Sequence, residues 1–457
     1  MTNSLLPITI IPVQMFQYLD ERIRISHSLI NYWEIDTKKP IRITVGGKHV
    51  ITHVEAASIT KNEMYVDKEL FQDLSLPIQE GQWIVSYSHQ EHSLHIGPII
   101  GLLTNVSMTE NGPNFHSIHS FCEELHELIT EIGGLFYVFQ LNDFSDRKIE
   151  GYYLKDEQWE KRTVPYPDVI YNRIHSRKFE ASPAFQSFKT TLLSKRIAMF
   201  NDQFLSKDYV HDLLFKEDYM HPYLPETKML TAQTLDAMLK KYNSVFIKPI
   251  NGSQGRNIMK LSKVEERVHV IRSTGGGRDY SQSYHLDQQL YSKLTPSLRG
   301  KIYLIQQAIP LLEYKNRQLD FRVLCHKNLA NMWKATSAVA RISADKQFVS
   351  NIARGGELMK PIKLLTQISD RETAIQQLIL MKELAMETAM LVSRNVDGFF
   401  GELGIDIGMD HDGKLWIIEV NSKPSKSFEE DARKIRPSAK ALLEYCTFLS
   451  FSWRREQ

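Results

Sequence analysis

The stretch GELGIDIGMDHDGKLWIIEVNSKP, from Gly401 to Pro424, holds two β-prone runs, Ile405 to Met409 and Leu415 to Val420, separated by His411-Asp412-Gly413-Lys414. Asp-Gly between such runs is a strong hairpin signal. With Asp412 and Gly413 at the turn, or with a four-residue loop, the register sets Asp406 opposite Glu419 and Gly404 opposite Asn421. Side chains alternate along a strand, so Asp406, Glu419 and Asn421 are expected on one face, with Gly404 and Gly408 leaving space beside them.

Two carboxylates directly opposed in a ladder lie about 5 Å apart, and at an effective dielectric of about 20 they repel by about 3 kcal/mol. A shared proton or divergence into solvent would relieve this on an exposed hairpin. Here Trp416, Ile418 and Val420 are expected to cover one face, and Leu415 and Ile417 to share the other with Glu419, so the hairpin reads as partly buried on both sides. Two carboxylates and an amide oxygen are hard ligands that suit Mg²⁺, with Mn²⁺ as an alternative; Mg²⁺ takes one or two protein carboxylates and leaves other positions to phosphate and water. The hairpin reads as half of a metal–nucleotide site.

The chain has 457 residues, 42% hydrophobic and 24% charged, which is ordinary for a globular protein of about three domains. With 56 basic and 54 acidic residues and no long basic block, nothing points to nucleic acid or an anionic membrane as the main partner. No apolar run is long enough to span a bilayer, and the N-terminal apolar run follows no basic region, so a cytoplasmic protein is expected. Cys122, Cys325 and Cys446 are too far apart for a metal or redox motif and read as reduced and buried.

Residues 1–95 read as a small β-rich domain, with a barrel as one arrangement open to its short strands and turns, and with a Gly46-Gly47 hairpin. His89, His92 and His95 invite a metal reading, but they sit in a loop entering a strand. Over 96–201 the grammar becomes alternating: strand GPIIGLLT, helix SFCEELHELITEIGG, strand LFYVFQL, strand PDVIYNRI and strand IAMFN, an open α/β sheet. Ligands bind such sheets at the strands' carboxyl ends, where Asn172 and Arg173 stand; a solvent-facing polar pair is the other reading.

Residues 202–445 carry most of the chemistry, before a tail at 446–457. Lys248 is set in an apolar strand and followed by Asn251-Gly252-Ser253-Gln254-Gly255, which fits a flap over phosphates or an ordinary hairpin turn; no GK[ST] or following helix makes it a Walker or Rossmann loop. The strand KIYLIQQAIPL ends in Gln306, Gln307, Ala308 and Ile309, either an adenine slot or a plain core strand. In LDFRVLCHKNLANMWKATSAVAR, a turn at Lys327-Asn328 is expected between two strands, with Asp320 and Arg322 two apart on one face and Lys334, a candidate nucleotide-binding residue, on the partner strand. Asp320 and Arg322 could pair with each other. With Lys248 and Arg354 they also read as charges collected around a triphosphate.

Taken in order, VFIKP, NGSQG, YLIQQAI, DFRV, SNIARGG, GELGIDI and WIIEVNSKP resemble the ATP-grasp superfamily, and the whole is similar to its YheC/YheD group, described as associated with the endospore coat. The resemblance implies an α/β architecture: an α+β ATP-grasp module behind an open α/β domain and a small β-rich N-terminal domain. It implies that Lys207 and Lys248 bind the nucleotide phosphates, that the flap closes over them, and that Gln306 to Ile309 line adenine. Arg322 and Arg354 would stabilise the transferring phosphate, and Asp406, Glu419 and Asn421 would hold Mg²⁺. Glu402 is a loose candidate for a further acidic ligand. The implied activity is an ADP-forming ligase joining an unidentified carboxylate to an amine or thiol through an acyl phosphate, with ATP, Mg²⁺ and spore coat proteins as partners. The alternative is a coat structural or assembly protein that binds ATP without turning it over.

Overall fold

A computed structural model describes residues 5–452 apart from 15–20, 111, 253–256, 274–279, 288, 299, 345–355 and 427–434. Seven strands between Leu6 and Gly97 close into a barrel, Leu6–Val13 pairing in parallel with Glu63–Asp67 and antiparallel with Gly81–Ser88. Period-two patterning drives it: Ile8, Ile10, Ile23, Ile25, Ile41, Ile43 and Val45 all point into the buried interior. Gly46 turns the Ile41–Val45 strand into Lys48–Ala57 at φ +51°, and a Cβ there would collide with the Tyr166 carbonyl. His92 Nδ1 bonds Tyr87 Oη at 2.7 Å and His95 Nε2 bonds Asp168 Oδ1 at 2.9 Å. Among the described residues no group of three His, Cys, Asp or Glu is placed to hold a metal.

The next sheet has six strands. Ile99–Leu103 is flanked in parallel by Leu135–Phe139 and Val169–Asn172, and Ala198–Phe200 extends it, as the alternating pattern leads one to expect. An edge hairpin, Ile149–Lys155 with Gln158–Val164, carries no sequence signal, because its turn places Asp156 and Glu157 at positive φ without glycine. The three cysteines are free and buried.

Two further sheets follow. One is antiparallel and contains Ser244–Pro249 beside Met259–Val264 and Tyr303–Gln307. The other contains Arg317–Lys327, Trp333–Ile342, Glu402–Met409 and Leu415–Asn421, packed through Phe321, Ile405 and Ile407 on the helix Arg371–Asn395. Residues 446–452, expected as a tail, continue the buried helix Pro437–Ser452, which packs on the helix His119–Glu131.

One buried carboxylate ties these parts together. Glu402 accepts from Tyr171 Oη, His326 Nε2 (2.8 Å) and Lys426 Nζ, with Arg173 Nη1 at 3.5 Å. It is therefore committed to this cluster and does not supply the further metal ligand considered above. Asn201, held at φ 53°, accepts from Gly401 N and Glu402 N and donates to Glu402 O and Ser422 O. Asn172 and Arg173 are buried, not solvent-facing: Asn172 donates to Glu180 Oε1 at 2.7 Å, and Arg173 Nη2 to Pro424 O at 2.9 Å.

Burial pushes the Glu402 carboxyl up, but Lys426, His326 and Arg173 outweigh it and hold it well below its usual range. Its stabilising contribution is thus present above about pH 4.5 and is lost as the pH falls. Glu402→Ala, which leaves buried cations without their partner, is expected to cost about 3–5 kcal/mol and to lower the urea midpoint at pH 7; an unchanged midpoint would show that the cluster does not hold these parts together.

Candidate active site

A cavity of about 1080 Å³ is lined by the sheet carrying Lys248 and the sheet carrying Asp406. Asp406 faces Glu419 and Gly404 faces Asn421, the expected pairs, reached by an unexpected route. Asp410 and Lys414 close a three-residue loop with Gly413 at φ +79°, fixed by Asp410 Oδ1 accepting from Asp412 N and Lys414 N. That loop alone would set Asp406 against Ile418, and a β-bulge between Asp406 and Ile407 shifts the register back. The bulge also turns the strand over. Leu415 and Ile417 join the core, whereas Ile418, Glu419 and Asn421 line the cavity, so Glu419 does not share a face with Leu415 and Ile417. Nor is the space beside the glycines open: Pro424 and the Arg322 side chain fill it at Gly404, and Leu311 and Ile418 at Gly408.

The repulsion between the two carboxylates is met by the protein's own cations. Arg322 grips Asp406 with Nε and with Nη2 at 2.8 Å, and Arg341 Nη2 lies 3.0 Å from Asp406 Oδ2. Arg341 also forks onto Asp320 at 2.6 and 2.8 Å, so Asp320 and Arg322 do not pair with each other. Burial pushes the Asp406 carboxyl up, and the two guanidinium groups outweigh this and hold it down. Asn421 Nδ2 approaches Asp406 Oδ2 at 3.5 Å. Glu419 is met by Lys207 Nζ at 3.2 Å, from the first turn of the helix Lys207–Phe215.

Lys248 differs from these. Its Nζ donates to Gln306 Oε1 at 2.5 Å, and among the described residues no carboxylate bonds it. Burial, with Lys207 nearby, lowers its pKa to about 8. Gln306 Nε2 in turn donates to Thr227 Oγ1, so Gln306 aims the lysine. The N–H groups of Gln307 and Ala308 already donate to Glu226 O and Ser244 O. That leaves the Ile309 N–H as this segment's unengaged donor to a ligand, among the described residues. Asn251 and Gly252 also line the cavity, Asn251 Oδ1 accepting from Arg177 Nη1 at 2.9 Å.

The structure thus gathers Lys207, Lys248, Asn251, Gly252, Gln306, Gln307, Ala308, Ile309, Arg322, Asp406, Glu419 and Asn421 around one cavity. Ser253, Gln254, Gly255 and Arg354 lie outside the described residues. Lys334 is not brought in. The loop after Lys327 spans residues 328–332 instead of turning at Lys327-Asn328, so Lys334 pairs with His326 and lines a separate cavity of about 220 Å³. The same error of register hid Arg341, which stands directly opposite Asp320 only because a β-bulge between Leu324 and Cys325 adds one residue to the register that the 328–332 loop sets.

Residues 196–449 match the family described as YheC/D like ATP-grasp. The chain is 29% identical over 392 residues to the endospore coat-associated protein YheD of Bacillus subtilis (strain 168), covering 84% of both chains. It is 23% identical over 336 residues to YheC of the same organism, covering 71% of this chain and 90% of that protein. Among solved structures it is similar to the D-alanine-D-alanine ligase from Coxiella burnetii, at 12% identity and a TM-score of 0.45 over 78% of this chain and 96% of that one.

An anion bound beside Lys248 restores its lost proton affinity, so the complex holds more protons than the free protein above about pH 8. Triphosphate affinity is expected to be level below that pH and to fall by up to about tenfold per unit above it, with proton uptake in calorimetry at pH 8.5. Lys248→Met should abolish the uptake; uptake that survives in the variant would assign it to another group.

Proposed function

The chain belongs to the YheC/D like ATP-grasp family, and from that premise we propose that it is an ADP-forming ligase joining a carboxylate to an amine or thiol in endospore coat formation. The observation that carries this reading is Lys248: a part-buried ammonium whose hydrogen bond, among the described residues, is to an amide oxygen and not to a carboxylate, within electrostatic reach of Lys207, Glu419 and Asp406. Phosphate oxygens would give such a group the charge-assisted hydrogen bonds that a neutral amide does not.

The donor set fits a hard divalent cation at two of its three positions. Glu419 keeps 27% of its side chain exposed and bonds Lys207, and Asn421 lies beside it on the same strand, so a carboxylate and an amide oxygen can be offered. Asp406 would join them only by giving up a guanidinium. Bound there, Mg²⁺ would neutralise charge on the transferring phosphoryl group.

The residues of this chain then take defined parts. Lys207 exchanges Glu419 for phosphate, Lys248 holds a second phosphate, and Ile309 N–H with neighbouring carbonyls reads adenine. Arg322 and Arg341, fixed by Asp406 and Asp320, hold their guanidinium N–H groups in place beside the γ-phosphate. A carboxylate oxygen of the substrate attacks that phosphorus, the bond to ADP breaks, and an acyl phosphate forms. The amine nitrogen then attacks the acyl carbon, the carbon–oxygen bond breaks, and phosphate leaves with the amine's proton. These steps need positioning and charge neutralisation, not a protein nucleophile.

A second reading has its own observation. Because Arg322, Arg341 and Lys207 neutralise the opposed carboxylates, the pair can persist with no metal, as a coat protein that binds ATP without turnover would require. ADP formation with Mg²⁺-ATP and a small-molecule extract of sporulating cells decides between them. The ligase reading expects turnover that Glu419→Gln lowers by about 100-fold or more without unfolding the chain. Tight ATP binding with no ADP in any fraction would favour the second reading.

A further inference from the structure

Beyond the residues just described, the cavity runs to the carboxyl ends of Ile99–Leu103 and Val169–Asn172. There the parallel sheet divides, since Leu135–Phe139 lies on one side of Ile99–Leu103 and Val169–Asn172 on the other. The crevice outside such a switch point is where open α/β sheets bind ligands. Thr104 and Asn105 follow one strand and Arg173 the other, and all three line the cavity.

Charge is segregated along this cavity. Among the described residues its lining carboxylates, Asp320, Asp406 and Glu419, all belong to the sheet of Glu402–Met409, whereas the charged side chains lining the arm at the switch point are Arg173, Arg177 and Lys423, joined by His175. Glu180 and Glu402, which bond Lys423 and Arg173, do not line it. The cations are pre-positioned: the Phe204 ring has the Arg177 guanidinium 4.9 Å and Lys423 Nζ 4.6 Å from its centre. Arg173 Nε makes no hydrogen bond among the described residues.

Glu402 and Glu180 answer Arg173 and Lys423, whereas Arg177, among the described residues, bonds an amide oxygen and no carboxylate, so a monocarboxylate reacting beside Glu419 leaves the arm with a cation in excess. We propose that the acyl co-substrate is a small molecule with at least two anionic groups, one carboxylate entering phosphoryl transfer and a second group, carboxylate or phosphate, held by Arg177 in the positive field of Arg173 and Lys423 behind it. This rests on the ligase reading above and narrows its substrate class.

The test fractionates the small-molecule extract on an anion exchanger with stepped salt and assays each step for ADP formation by the full chain with Mg²⁺-ATP. The inference expects activity in the steps that release multiply charged anions. Phosphatase treatment of that fraction then distinguishes the sources: loss of activity marks a phosphate as the second group, retention a carboxylate. With the active fraction as substrate, Arg177→Ala should raise its KM about tenfold or more with the KM for ATP changed less than about twofold, and Arg177→Lys should lie between. Activity confined to the flow-through or monoanion steps would overturn the inference and leave the ligase reading standing. Equal rises in both KM values, or none, would also overturn it, and ADP in no fraction would remove the ligase reading and this inference together.

Discussion

Everything around the cavity depends on how Asp406 and Glu419 can face each other across a β-ladder without separating. The answer is an alternating chain of charge: Asp320, Arg341, Asp406 and Arg322 in sequence, with Lys207 answering Glu419 from a helix start. Asp406 is almost fully desolvated, so no single member can be removed without leaving a buried charge unmatched. The network fixes the arginines' forks in place before any ligand arrives, and such groups need no reorganisation during a reaction.

The network's position is set by a second, separate anchor. Glu402 begins the strand that carries Asp406, and its partners Tyr171, Arg173, His326 and Lys426 come from the α/β sheet, the neighbouring strand and the segment after the hairpin. Asn201 then fastens both strands of the hairpin through backbone groups. The cavity is therefore a junction, and its shape follows from polar bonds between units more than from the core of any one of them.

Much of this was legible in the sequence. Period-two runs gave the barrel strands, alternating elements gave the α/β sheet, and the Asp-Gly hairpin gave the Asp406–Glu419 pair. What escaped was whatever depends on one residue more or less in a loop. A three-residue turn plus a bulge reproduces the register of a two-residue turn at Asp406 but reverses the facing of Leu415 and Ile417, and patterning cannot separate the two. The longer loop after Lys327 moved Lys334 away and, with the bulge between Leu324 and Cys325, concealed Arg341. Partners were less legible than positions: Arg322 was found by its motif, whereas its bond to Asp406 in place of Asp320 required the folded strands.

The N-terminal barrel carries a further consequence. Its first and sixth strands pair, so among the described residues the ring of strands is closed and every strand has a hydrogen-bonded neighbour on both sides. An incoming chain therefore has no rim to extend by adding a strand of its own. A partner of this unit would have to be recognised through side chains and loops, so that the barrel could be held beside another protein without templating the growth of a shared sheet.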